Sequence, residues 1–306
     1  MPSRQMIVAV AGGSGFIGSV IVRRLLGAGF MVRILTRNPG RAQRRFGSSG
    51  VDFFRVDLND PRSLRVPLAG VGAIINATQF DGYPVENPRR GLTFEQVDYG
   101  GTRALLDMAD HRSISQFIYI SGASANPTST HPAFRAKGRA ETAVRNSGIR
   151  FTIFRPALVY GPGDRVLAMF AKIVRFSPVF IIPGDGSQHV QPLLVDDLAE
   201  CVAMALEGSG RNGVFEIAGP VTLSFDELVK LLMEIMERRR LIVHVPSALM
   251  TVAGAVAETI PAQIFSRDAA AFLMTDYVCD NTALLEQFKI ALTPPRTGLS
   301  YLATYL

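Results

Sequence analysis

The feature that most constrains this chain is a run of glycines directly after an apolar strand. Val8-Ala9-Val10-Ala11 leads into Gly12-Gly13-Ser14-Gly15-Phe16-Ile17-Gly18, and a helical pattern follows. The glycines read either as Gly13-x-Gly15-x-x-Gly18 or as Gly12-x-x-Gly15-x-x-Gly18. The first permits a tight turn, the middle one lets backbone approach a pyrophosphate, and the last lets the helix pack closely on the strand. Free N–H groups and the positive end of the helix then face an anion. Gly12, Gly13, Ser14, Gly15, Phe16 and Ile17 are therefore expected to cradle a dinucleotide.

The surrounding pattern supports that expectation. Apolar strand candidates at 6–11, 32–36, 51–56, 73–77, 116–121 and 151–154 alternate with helical stretches at 16–28, 96–111 and 133–146. Strands apolar along their whole length, separated by helices, imply a parallel sheet covered on both faces. Right-handed crossovers then give an α/β, doubly wound parallel sheet of the Rossmann kind. Residues 1–155 are expected to form the dinucleotide-binding domain and residues 156–306 a smaller, partly interleaved α/β lobe for substrate or partner. In the second half, Asp196 and Asp197 suit a helix start at 196–207, and a strand is expected at 214–218. Ser224 with Glu227 makes a capping-box pattern.

An NAD site ordinarily carries Asp or Glu about 20 residues after the loop, at the end of the second strand. Here that strand ends Ile34-Leu35-Thr36-Arg37, with Arg41 a short turn on. A guanidinium there can pair with a 2′-phosphate, which favours NADP(H) over NAD(H). Asp57 and Leu58 follow the third strand, towards the adenine edge. Asn76-Ala77-Thr78 follows the fourth, towards the nicotinamide ribose, so Ala77 and Thr78 join the expected cofactor-binding set.

These residues resemble the atypical and extended short-chain dehydrogenase/reductases, which are epimerase/dehydratase-like. The likeness covers most of the chain. It runs from the glycine loop through Asp57-Leu58, Asn76-Ala77-Thr78, Gly101-Thr102, Ser121 and Arg155-Pro156 to Tyr160-Gly161-Pro162-Gly163-Asp164 and Val195-Asp196-Asp197-Leu198-Ala199. Within that superfamily the chain looks most like the nucleotide-binding accessory subunits of respiratory complex I and their bacterial relatives. That closer likeness rests on residues 116–121, on Gly163-Asp164-Arg165 with Phe170 and Arg175-Phe176, and on Ser266-Arg267-Asp268. It implies cofactor roles for Ser121, Lys137 and Pro156.

The family's chemistry uses a Tyr-x-x-x-Lys pair and a serine, the tyrosine serving as general acid or base. Lys137 matches the lysine, but Ala133 stands where the tyrosine belongs and Gly122 where the serine belongs. Lys137 keeps a ribose-holding role that needs no tyrosine. Tyr160, Tyr83 and His131 are the candidates for a relocated proton donor; Tyr160, after the sixth strand, is taken with Lys137 as the candidate catalytic pair. A packing role for the Tyr160 ring is the competing expectation.

Three functions follow as alternatives. The first is a nucleotide-binding subunit, assembly factor or sensor linked to complex I, holding its cofactor without the usual turnover. The second is an NADP(H)-dependent oxidoreductase, or an epimerase or dehydratase, with a moved donor. The third is a scaffold that no longer binds nucleotide.

Hydrophobic residues make up 48% and charged residues 19% of the 306, which excludes global disorder. The net charge is +6, but no nucleic-acid module or metal-ligand spacing accompanies it, so no nucleic-acid partner and no metal are expected. Cys201 and Cys279 read as reduced, structural residues of a cytoplasmic protein. Arg238-Arg239-Arg240 precedes an apolar run at 241–264 broken by Pro246 and Pro261. The clean part between the prolines is too short to span a bilayer, and the run reads either as an interfacial helix on the inner face of a membrane or as a helix buried in the smaller lobe or at a subunit contact.

Overall fold

The computed structural model describes residues 6–47, 50–80, 82–83, 85–246 and 278–304. Its frame is a seven-stranded parallel sheet. The first half runs β1 (Ile7–Ala11), α1 (Phe16–Gly27), β2 (Met31–Thr36), α2 (Pro39–Phe46), β3 (Val51–Arg55), β4 (Ala73–Asn76), α3 (Gly101–Asp107), β5 (Gln116–Ile120), α4 (Pro132–Arg145) and β6 (Phe151–Pro156). The second half adds β7 (Val159–Tyr160), α5 (Val166–Phe176), β8 (Val179–Pro183), β9 (His189–Val190), β10 (Leu193–Leu194), α6 (Val195–Leu206), β11 (Gly213–Ile217), β12 (Leu223–Ser224), α7 (Phe225–Ile235) and β13 (Leu241–Val245). After the undescribed stretch come α8 (Thr282–Phe288) and α9 (Pro295–Gly298).

The sheet order is β11-β6-β5-β4-β1-β2-β3, so the chain reverses direction across the sheet between β1 and β4. That reversal opens a crevice at the carboxyl ends of the central strands, where doubly wound sheets take their ligands. The alternation of each strand sorts its side chains onto two cores. Val8, Val10, Ile118 and Ile120 face α1 and α6, while Ala9, Ala11, Phe117 and Tyr119 face α3 and α4. A third core, around Phe170, Phe180, Phe225 and Leu232, belongs to the second lobe. The two lobes share chain: β11 returns from beyond β10 to pair with β6, and α6 packs on α1, where Arg24 and Glu200 form an ion pair.

Several local expectations hold to within a residue or two. Asp196 and Asp197 lie in the first turn of α6, and Ser224 and Glu227 cap α7 reciprocally. Two differ. The helical stretch expected at 96–111 is a π-helix over Phe94–Gly100 that passes directly into α3. Its widened turn is a deformation that commonly marks functional sites. The apolar run at 241–264 does not begin as a helix, because Leu241–Val245 is β13, parallel to β8. Three β-branched residues within Leu-Ile-Val-His-Val favour the strand. Residues 247–277, which include the rest of that run and Ser266-Arg267-Asp268, lie outside the described residues. Among the described residues no helix is long and apolar enough to cross a membrane.

Candidate nucleotide site

The glycine loop turns sharply at the end of β1. Gly12 has φ of +77°, and a Cβ there would run into the carbonyl of Ala77. A Cβ on Gly18 would strike the carbonyl of Gly12, so α1 packs on the loop only because position 18 carries no side chain. The Gly15 amide donates to the Gly12 carbonyl at 2.9 Å, and Gly15 N-caps α1 without any side-chain cap. The first turn of α1 carries no acidic residue to answer its positive end. This is the backbone-lined cradle that a pyrophosphate requires.

The neighbouring loops are tied to it. Ser14 Oγ lies 3.0 Å from Thr36 Oγ1, joining the cradle to the end of β2. Asn76 is fully buried; its amide donates to Thr102 Oγ1, and its oxygen accepts from the Thr78 amide and hydroxyl. Ala77 and Thr78 are thereby held against Gly12. Leu58 packs on Gly101, where a Cβ would come within 2.9 Å of its Cδ1. Asp57 is exposed; its carboxylate accepts from the Asn59 amide. The buried Pro156 accepts from the Ala123 amide, closing the crevice beyond β5.

Arg37 and Arg41 are exposed beside the cradle. The structure adds a residue the sequence reading passed over: Arg45 donates to the carbonyl of Ser14 at 3.3 Å. Partial burial and then the charges of Arg23 and Arg41 push its pKa down, so several guanidinium groups crowd one corner of the cradle. Position 45 sits on the far turn of α2, and spacing along β2 alone did not point to it.

Lys137 is not a solvated helix lysine. Its side chain is only 13% exposed and its Nζ lies 3.0 Å from Oδ1 of Asp98, a carboxylate 1% exposed on the π-helix. Burial works against both charges: it pushes the Asp98 pKa up against the pull of Lys137, while Asp98 holds the Lys137 pKa above the usual lysine range. The stem of Lys137 passes over Gly122, and its Nζ is 5.9 Å from the centre of the Tyr119 ring. Ser121 is engaged elsewhere: its hydroxyl donates to the buried Glu141 at 2.7 Å, and Arg155 clamps that carboxylate through Nε and Nη2. Ala133 lies in an apolar cluster with Phe80, Leu92, Phe94 and Ala136, against which Tyr83 and Phe134 pack. His131 stacks on Phe134 with ring centres 4.6 Å apart.

Tyr160 is 0% exposed and belongs to the second-lobe core. Its hydroxyl abuts Gly298, and burial, then the Asp197 charge, push its pKa up. Lys137 and Tyr160 therefore sit in different surroundings, one beside Asp98 and Tyr119, the other beneath α9.

Likeness to known proteins bears on this arrangement. The chain is 28% identical over 298 residues to the NADH dehydrogenase [ubiquinone] 1 alpha subcomplex subunit 9, mitochondrial, of Arabidopsis thaliana, covering 91% of this chain and 72% of that one. It is 29% identical over 224 residues to an NAD(P)H azoreductase of Xenophilus azovorans, covering 72% and 71%. Among solved structures, a UDP-glucose 4-epimerase of Thermotoga maritima superposes with a TM-score of 0.77 at 21% identity, over 98% of each chain. The model of the NAD dependent epimerase/dehydratase family matches residues 8–218, which span the sheet, the cradle and Lys137, and the chain belongs to that family.

Proposed function

We propose that this protein holds NADP(H) as a nucleotide-binding subunit or assembly factor of respiratory complex I, working against that complex and the adjoining membrane surface without the family's usual turnover. One combination carries the reading. The cradle is complete, while Lys137 is spent on a buried ion pair with Asp98 and the place of the general acid is taken by Ala133 in an apolar cluster. Such a site can bind and orient a dinucleotide, but it offers no hydroxyl at position 133 to deliver a proton. The relative in Arabidopsis, named as a complex I subunit, supports the partner.

NADP(H) is favoured over NAD(H) because Arg37 follows the end of β2, and Arg45, held at the Ser14 carbonyl, feels the charges of Arg23 and Arg41; a phosphate dianion brought to these guanidinium groups gains charge-assisted hydrogen bonds. Titration calorimetry with NADPH and NADH tests this. Wild type should prefer NADPH, and Arg37→Ala should weaken NADPH about 10- to 100-fold while sparing NADH, the range of a charge-assisted hydrogen bond. Equal losses for both would overturn the assignment. Oxidation of NADPH with a carbonyl or enone acceptor at an ordinary enzyme rate would overturn the non-turnover reading.

A second reading, an oxidoreductase with a moved proton donor, is favoured by the likeness to the azoreductase. It requires Tyr160, or Tyr83 beside the Ala133 cluster, to reach the nicotinamide. For Tyr160 that means displacing α9 from its hydroxyl. Tyr160→Phe should then abolish turnover with cofactor binding intact.

A further inference from the structure

β8 and β13 form a two-stranded parallel ribbon on the second lobe. Phe180, Ile182 and Ile242 point inward to the core made with α5 and α7. The opposite face carries Val179 and Ile181 from β8 and Leu241, Val243 and Val245 from β13, with Val179 beside Leu241 and Ile181 beside Val243 in register. A ribbon with one wet face ordinarily alternates apolar with polar residues. Here the outward side chains are apolar as well, and they are exposed among the described residues: Ile181 is 54% exposed, Leu241 65% and Val243 37%. Phe176, just before the ribbon, is 71% exposed. The polar residue of the two strands, His244, is bonded to Asp226 of α7 rather than placed on the outer face.

Positive charge gathers at one end of this face. Arg175 lies beside Phe176, the exposed Arg238 and Arg239 lead into β13, and neither α5, β8 nor β13 contains an acid. The Arg240 guanidinium donates to the carbonyls of Val174 and Arg175 at 2.6 and 2.8 Å, which pins the 238–240 turn against the end of α5. The Arg175 guanidinium lies 5.7 Å from the centre of the Phe176 ring. The acids closest along the chain are Glu237, beside Arg238, and Asp185, past the far end of β8.

We propose that this face seats on an anionic bilayer surface. Phe176, Ile181, Leu241 and Val243 enter the boundary between headgroups and acyl chains, and Arg175, Arg238 and Arg239 pair with lipid phosphates. The apolar side chains match the acyl boundary of a bilayer, and the arginines at the rim match its phosphates. A second copy would set arginines against arginines. The proposal rests on the membrane-adjacent part of the reading above and gives it a location; the nucleotide site takes no part in it.

Flotation with phosphatidylcholine vesicles, with and without a minority of phosphatidylglycerol, tests it on the full chain. Wild type should bind the anionic vesicles, and binding should fall as salt rises. The double variants Ile181→Glu/Leu241→Glu and Arg238→Glu/Arg239→Glu should each weaken binding about tenfold or more. Both alter exposed side chains, so NADPH affinity should stay at the wild-type value and report an intact fold. Absence of binding to anionic vesicles overturns the proposal. So does equal binding to neutral ones, wild-type binding by either variant, or a dimer in sedimentation that the variants disperse. Vesicle binding without NADPH binding would sink the nucleotide-holding reading and leave this one standing.

Discussion

Asp98 and Lys137 show how much a single buried pair decides. Asp98→Asn leaves a buried ammonium without its counter-charge, which costs about 3–5 kcal/mol. Replacing both, as Asp98→Leu with Lys137→Met, should recover much of that loss, because an apolar pair of similar volume is often no worse than a buried ion pair. Chemical denaturation of the three proteins measures the difference, and a double variant as unstable as Asp98→Asn would count against the pairing. The cysteines give a second expectation. Burial pushes the thiols of Cys201 and Cys279 up to about 12. Thiolate is the reactive form, so neither should be alkylated by iodoacetamide in the native protein at neutral pH, and both should react once it is unfolded. Mass spectrometry reads the result. Lys137 was legible in the sequence because its motif is local. Asp98 was not: it arrives from a π-helix on another crossover, and no spacing rule links a carboxylate there to a lysine on α4.

At the scale of elements, the first half was readable because its physics is local. Strands such as Val8-Ala9-Val10-Ala11 are buried on both faces and therefore apolar throughout, and each is followed by a helix that returns the chain for a parallel pairing. The second lobe was harder because β7, β9, β10 and β12 are two residues long and owe their pairing to tertiary contacts. Leu241–Val245 misled for the same reason, since a short apolar run fits a helix or a strand until its partner β8 is known. Two substitutions probe what was read correctly. Gly18→Ala places a methyl against the Gly12 carbonyl and should lift α1 from the cradle, so that calorimetry finds NADPH binding lost or severely weakened. A Gly18→Ala protein that binds NADPH as wild type would mean that the close packing of α1 is not what shapes the site. Ser224→Ala removes one half of the α7 capping box and should cost about 1 kcal/mol of stability without touching the nucleotide.

At the scale of the whole molecule, the cradle lies where the two lobes share chain. α1 opens from the cradle and packs on α6, and Gly161, at the entry to the second lobe, lies against Phe16 and Val195. A ligand that binds the folded cradle but not the unfolded chain must stabilise both lobes if they unfold as one unit. The gain is about 2.7 kcal/mol at a hundredfold excess over Kd. For a chain of this size that corresponds to a rise in Tm of several degrees, at about 2–4 °C for each kcal/mol. Calorimetric scans with NADPH should therefore show one transition moving upward as a whole. With Arg37→Ala the NADPH increment should shrink to that given by NADH, because the proposed partner of the 2′-phosphate, just after β2, is then gone. Two transitions, of which NADPH moves only one, would mean that the lobes melt separately despite the return of β11 to the main sheet and the packing of α6 on α1. In that case the cradle stabilises only the lobe that contains it, and bound nucleotide could not report on the second lobe, where the arginine-rimmed face lies.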